Sequence, residues 1–127
     1  MRFMMLMIPR GYRPGEPPSD PRPEDMETMG RYNDTLRDAG VLLSLDGLRP
    51  PSEAVRLSFG AGKPTITDGP YAEAKEALGG YWIIQVKSKD EAVEWARRCP
   101  AKDGDVIELR RIQEFEDFPP DVQALAR

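Results

Sequence analysis

Residues 79–91 read GGYWIIQVKSKDE and contain the best-defined strand and helix start of the chain. The run Tyr81–Val86 is apolar at almost every position, which is typical of a strand that is covered on both faces. Ser88 and Glu91 have the spacing of a capping box, which begins a helix. The stretch therefore predicts a two-sided strand followed by a helix that Pro100 ends.

Further strands and helices are predicted on both sides of this unit. Residues 2–8 form a strand that is apolar on both faces, and a helix runs from about Pro23 to Gly40. One apolar stripe marks each helix: Met26, Met29, Tyr32, Leu36 and Ala39 on the first, and Ala92, Val93, Trp95, Ala96 and Cys99 on the second. The other predicted elements are strands at 41–48, 54–59, 64–67 and 105–112, a hairpin turn at 60–63 and a short helix at 72–78.

Without the hairpin, the element order is β-α-β-β-α-β, which predicts an α+β, ferredoxin-like layer with two helices on one face of an antiparallel sheet. Because strands 2–8 and 81–86 are apolar on both faces, the second face also needs a cover. We predict a homodimer with the sheets packed face to face. The alternative cover is the proline-rich loop 9–23 together with the tail 113–127. One domain is expected over 1–127, with its core in about 1–112.

The composition excludes several classes of function. Lys and Arg number 18 and Asp and Glu 22, a net charge of −4, so no basic face for nucleic acid is expected. The absence of histidine excludes catalysis by imidazole and zinc sites with histidine ligands. The single cysteine, Cys99, is predicted to be an inert core thiol, and no metal or other cofactor is predicted. Without an export signal or an apolar run of roughly 18 residues, we expect a cytoplasmic protein with no membrane contact.

Charged and aromatic side chains around the short helix 72–78 form the candidate site. Several carboxylates beside a lysine shift one another's pKa values and can serve as general acids or bases, while the lysine stabilises an oxyanion. The candidate catalytic residues are Asp68, Glu73, Lys75 and Glu76, and the candidate ligand-binding residues are Asp46, Arg49, Tyr71 and Tyr81. The alternative is structural: Asp68 caps the short helix, its charged neighbours are solvated, and the tyrosines pack.

Residues 68–76 read DGPYAEAKE and resemble the DGPFAETKE motif of the YCII-related, DGPF-type proteins. Tyr71 replaces the usual phenylalanine of that motif, and Ala74 replaces the usual threonine. Other segments match that family in order and spacing: 4–6, 39–42, 48–51, 78–84, 92–100 and 107–110. The resemblance implies a dimeric α+β barrel of ferredoxin-like subunits.

The resemblance implies little about the reaction, because most members of the family have no assigned activity. A related branch has a proposed catalytic His-Asp pair, which a chain without histidine does not have. Genes for similar proteins often lie beside those for extracytoplasmic-function sigma factors. Three hypotheses remain open. They are an isomerase or lyase using carboxylates in a subunit cleft, a non-catalytic small-ligand sensor, and an accessory protein that binds a sigma factor.

Overall fold

The computed structural model describes residues 1–10, 22–68 and 77–125. The described elements are β1 Arg2–Ile8, α1 Pro23–Asp38, β2 Leu42–Gly47, β3 Val55–Gly60, β4 Lys63–Asp68, β5 Gly80–Gln85, α2 Lys89–Arg97, β6 Val106–Arg111 and the single turn α3 Pro120–Gln123. Four antiparallel strands form one sheet in the order β2-β5-β1-β6, and β3 and β4 form a separate hairpin. This order confirms the predicted ferredoxin-like α+β fold.

The core lies between the two long helices and one face of the sheet. Leu36 of α1 and Ala92 of α2 are buried in one cluster with Met5 of β1 and Trp82 and Ile84 of β5. The two amphipathic rings of this core have hydrogen-bond partners. The indole of Trp82 donates to Asn33 Oδ1 at 2.8 Å, and the hydroxyl of Tyr32 donates to the carbonyl of Trp95 at 2.6 Å. Burial of these rings therefore leaves neither donor unpaired.

Helix α1 begins and ends where the sequence predicts, but its apolar stripe is shorter. Pro23 is its first residue, and Gly40 follows it with a φ of +74°, the left-handed conformation that favours glycine. Met26 was predicted in the stripe and is 63% exposed, and Ala39 is exposed as well. The core contacts of α1 come from its middle turns, so both ends of the predicted stripe lie outside the core.

Helix α2 has the predicted N-cap with one difference. The Ser88 hydroxyl accepts from the Glu91 amide at 3.1 Å, as a capping box requires. The Glu91 carboxylate, however, accepts from the amide of Lys87 at 2.8 Å, one residue before the cap. The side chains of Ser88 and Glu91 thus supply hydrogen-bond acceptors for two backbone amides at the start of the helix.

The short helix predicted at 72–78 does not reach its predicted end. Ala77 and Leu78 are not helical. The reason lies in the next residue, because the Gly79 amide donates to the Met7 carbonyl at 2.8 Å and the Gly79 carbonyl accepts from the Leu48 amide at 2.9 Å. These bonds extend the sheet ladders to residue 79. The rest of the prediction, like most of the proline-rich loop, lies outside the described residues.

Cys99 is partly buried just after α2, beside the core cluster. Burial, with a smaller contribution from the charge of Asp105, raises the pKa of the Cys99 thiol to about 11. Only the thiolate is nucleophilic, so at pH 8 the folded protein should react with a disulfide reagent on the order of 100-fold more slowly than the urea-unfolded chain. Stopped-flow measurement of the released chromophore checks this. Equal rates in the two states would contradict the inert-thiol prediction.

The second face of the sheet lies opposite the core cluster to which α1 and α2 contribute. We call it the open face and define it by Met4, Leu6 and Ile8 of β1 with Tyr81 and Ile83 of β5, which the strand register places on one side. All five are partly buried in the single chain. None of the helices described here is both long and apolar enough to cross a membrane.

Candidate functional site

Asp46 and Tyr81 lie side by side on the open face. They are directly opposite one another in the β2–β5 ladder, although 35 residues separate them in the sequence. The Tyr81 hydroxyl donates a hydrogen bond to Asp46 Oδ2 at 2.9 Å. This hydrogen bond, together with the negative charge of Asp46, raises the pKa of Tyr81. The proton of the Tyr81 hydroxyl is thus held more tightly than in a free phenol and is engaged by Asp46.

A glycine allows β2 and β5 to approach one another beside this pair. Gly80 is opposite Gly47 in the next position of the ladder. A Cβ atom added at Gly80 would lie 2.9 Å from the backbone oxygen of Asp46 and 3.3 Å from Cα of Gly47. Only glycine fits there without moving β2, so Gly80 sets the position from which the Asp46 side chain reaches Tyr81.

The open face is apolar at its centre and charged at its edges. One row across the four strands consists of Asp46, Tyr81, Leu6 and Glu108. A carboxylate therefore stands at each end of this row. Met4 lies between Ile83 and Arg110 in the next row.

Arg49 is hydrogen-bonded to a residue other than Asp46 or Tyr81, and Asp68 belongs to the β3–β4 hairpin. The Nε of Arg49 donates to Glu53 Oε2 at 2.8 Å, four residues further along the chain, and its side chain is 83% exposed. Asp68 is exposed at the end of β4, opposite Val55. The structure thus brings together two of the predicted ligand-binding residues. Four other candidates lie outside the described residues: Tyr71, Glu73, Lys75 and Glu76.

Two charged residues of the open face were missed as site candidates, Glu108 and Arg110. Their signal is the alternation in β6: Ile107 and Leu109 pack on the core, so Glu108 and Arg110, which alternate with them, face the other side. The nearby Asp105 has a structural task, because its carboxylate accepts from the amides of Arg10 and Lys102 at 2.9 and 3.0 Å. Within the described ranges, no three acidic or thiol side chains are grouped as a metal site would require.

Comparison with known proteins agrees with this architecture. The family model of the YCII-related domain matches residues 1–116. A 60-residue stretch is 42% identical to an uncharacterized protein of Rhizobium meliloti (strain 1021), and covers 47% of this chain and 48% of that relative. The match thus spans about half the length of the curated relative. Because the family model extends over most of the sequence, the chain belongs to the YCII-related domain family.

Proposed function

We propose that this YCII-related protein is a cytoplasmic homodimer that binds a small molecule between the open faces of its subunits and acts on it as an isomerase or lyase. The observation that carries the proposal is the hydrogen-bonded pair of Asp46 and Tyr81 on the face of the sheet opposite the core cluster. A carboxylate beside a neutral phenol supplies a proton acceptor and a proton donor in one place.

The distribution of apolar and charged residues over the open face supports the dimer. Its central strands carry Met4, Leu6, Ile8 and Ile83, which a second sheet would remove from water. Its edge strand β6 carries Glu108 and Arg110 two residues apart. In a two-fold arrangement with antiparallel β6 strands and its axis beside Leu109, Glu108 of one copy would lie opposite Arg110 of the other. In that arrangement the face is self-complementary, as an isologous interface must be.

The proposed chemistry assigns one role to each residue of the pair. The Asp46 carboxylate accepts a proton from a carbon or hydroxyl of the substrate. The Tyr81 hydroxyl, whose single proton is donated to Asp46 in the free protein, turns on binding to donate it to the substrate oxygen on which negative charge develops. The motif residues Asp68, Glu73, Lys75 and Glu76 remain candidates for the second proton transfer and for charge stabilisation. The DGPF-type resemblance supports this part of the proposal.

A metabolite-library thermal-shift screen tests the site. We expect at least one small polar compound to raise the Tm of the wild type, and this shift to be lost in Asp46→Asn and reduced in Tyr81→Phe. Loss of a hydrogen bond to a charged group corresponds to about a 10- to 100-fold rise in the ligand's Kd. Asp38→Asn, an exposed carboxylate on α1, is the control and should keep the full shift. Equal shifts in all four proteins would contradict the site.

Product analysis separates the catalytic proposal from its alternative. The pair also suits a protein that binds a ligand without turnover, because the same donor and acceptor can hold a ligand that does not react. In that case a compound that stabilises the protein is recovered unchanged by NMR after prolonged incubation. Such an outcome would favour the alternative function, a ligand-binding accessory protein. The proposed association with a sigma factor belongs to this alternative.

A further inference from the structure

The β3–β4 hairpin has one apolar face and one polar face, and the apolar face is exposed. The strand register pairs Leu57 with Ile66 and Phe59 with Pro64, so these residues lie on the same side as Val55. We call this surface the hairpin face. Its exposed fractions are 54% for Val55, 52% for Leu57, 81% for Phe59 and 67% for Ile66. The other side is polar, with Arg56, Ser58, Lys63, Thr65 and Thr67.

The hairpin is well formed, and its main contacts among the described residues are between its own two strands. Its two-residue turn has positive φ at both positions, +49° at Ala61 and +86° at Gly62, as a type I′ turn requires. Within the described residues, neither β3 nor β4 makes extensive contacts with any element except the other. An isolated two-stranded hairpin is marginal in water and needs a packed face to persist.

The hairpin leaves the sheet beside the candidate site. It is inserted between β2 and β5, and the last bond of the sheet before it joins the Leu48 amide to the Gly79 carbonyl at 2.9 Å. The Asp46–Tyr81 pair lies two positions further into the same ladder. Six residues of strand extend about 20 Å, so the hairpin is long enough to reach beyond the edge of its own subunit.

The area that a stable dimer needs indicates what covers the hairpin face. A specific interface buries about 800 Å² on each partner. The central residues of the open face are already partly buried in the single chain, so the open face supplies only part of that area. The hairpin face adds on the order of several hundred Å², the size of the largest apolar patches on monomeric proteins. In a symmetric dimer each copy contributes one hairpin face. The two hairpin faces together supply the buried area that the open faces lack.

We propose that the β3–β4 hairpin is a dimerisation arm, whose apolar face packs on a second copy of this chain at the end of the open face where Asp46 and Tyr81 lie. The inference rests on the homodimer of the proposed function and adds the element that completes its interface. The polar side of the arm stays in water, which accounts for the division of the hairpin into two unlike faces.

The test compares dimer dissociation constants by analytical ultracentrifugation. The double variant Leu57→Thr and Phe59→Thr removes apolar area and keeps strand propensity, because threonine is β-branched. We expect it to raise the dimer Kd at least 100-fold. The matched control, Ser58→Thr with Thr65→Ser, changes the polar side of the same strands and should stay within threefold of the wild type. Circular dichroism checks that both variants are folded.

Hydrogen exchange on the wild type gives a readout that needs no variant. Amides of residues 55–60 and 63–68 should become protected as the protein concentration rises through the dimer Kd. A wild-type dimer whose Kd is unaffected by the double variant would overturn the arm and leave the dimer intact. A wild type that stays monomeric at high concentration would overturn both. Amides that are protected equally in the monomer would show that the hairpin is covered by its own chain and would overturn the arm.

Discussion

Replacing Ile84 by alanine is expected to lower the free energy of unfolding by about 2–5 kcal/mol, the cost of deleting a large aliphatic side chain in a closed core. Ile84 is 0% exposed and lies on a central strand, opposite Phe3 of β1 and Leu42 of β2. Because neighbours on both sides are held by the sheet ladders, the cavity has little room to collapse. Urea denaturation followed by the fluorescence of Trp82 and Trp95 measures the loss.

The matched control is the preceding residue, Ile83, which has the same side chain on the opposite side of the sheet. Ile83→Ala should cost less than Ile84→Ala in dilute protein, because Ile83 lies on the open face. Its cost should then grow with protein concentration, since it removes apolar area from the proposed dimer. Two variants of equal and concentration-independent cost would contradict the assignment of the two faces to core and interface.

Replacing Gly80 by alanine should destabilise the protein by about 1–3 kcal/mol, the usual cost of forcing an extra methyl into a filled space. The new Cβ would lie 2.9 Å from the Asp46 carbonyl oxygen, so β2 has to move away from β5. We expect this shift to lengthen the bond from Tyr81 to Asp46. The phenol pKa of Tyr81 should then return toward its ordinary value, which ultraviolet titration of the tyrosines can follow.

Gly47 supplies the control for this experiment, because it is the ladder partner of Gly80. A Cβ atom at Gly47 meets nothing within 4 Å, so Gly47→Ala should leave stability within about 0.5 kcal/mol of the wild type and keep the Tyr81 titration. If both glycine variants behave alike, the close approach of the strands at Gly80 has no special role in the site.

Much of the fold was predictable because its local signals agree with one another. The turn at 60–63, the cap at Ser88, the stop at Gly40 and the six strands lie within about one residue of their predicted positions. Each signal depends on interactions within a few residues, such as a hydroxyl reaching an amide three positions away. The prediction of helix at Ala77 and Leu78 was wrong, because the conformation there depends on a bond from Gly79 to the distant Met7.

The candidate site was predictable only as a set of residue types. Asp46 and Tyr81 were both candidates, but their pairing depends on a ladder between strands 35 residues apart. The sequence places Arg49 near Asp46, three residues away, but in the structure Arg49 pairs with Glu53, four residues away on the other side. The assignment of the motif 68–76 to catalysis remains a prediction, as do the homodimer and its cytoplasmic location.

The sequence by itself determined the element order, the two-sided apolar strands and the exclusion of imidazole chemistry, because composition and periodicity are properties of single segments. The tertiary structure decided which of two apolar faces of the sheet the helices cover, since that choice depends on crossover connections that no single strand encodes. It also decided that a tyrosine hydroxyl and a carboxylate meet on the other face, beside a hairpin whose apolar side is exposed. Both features arise from strand register, which is a relation between distant parts of the chain.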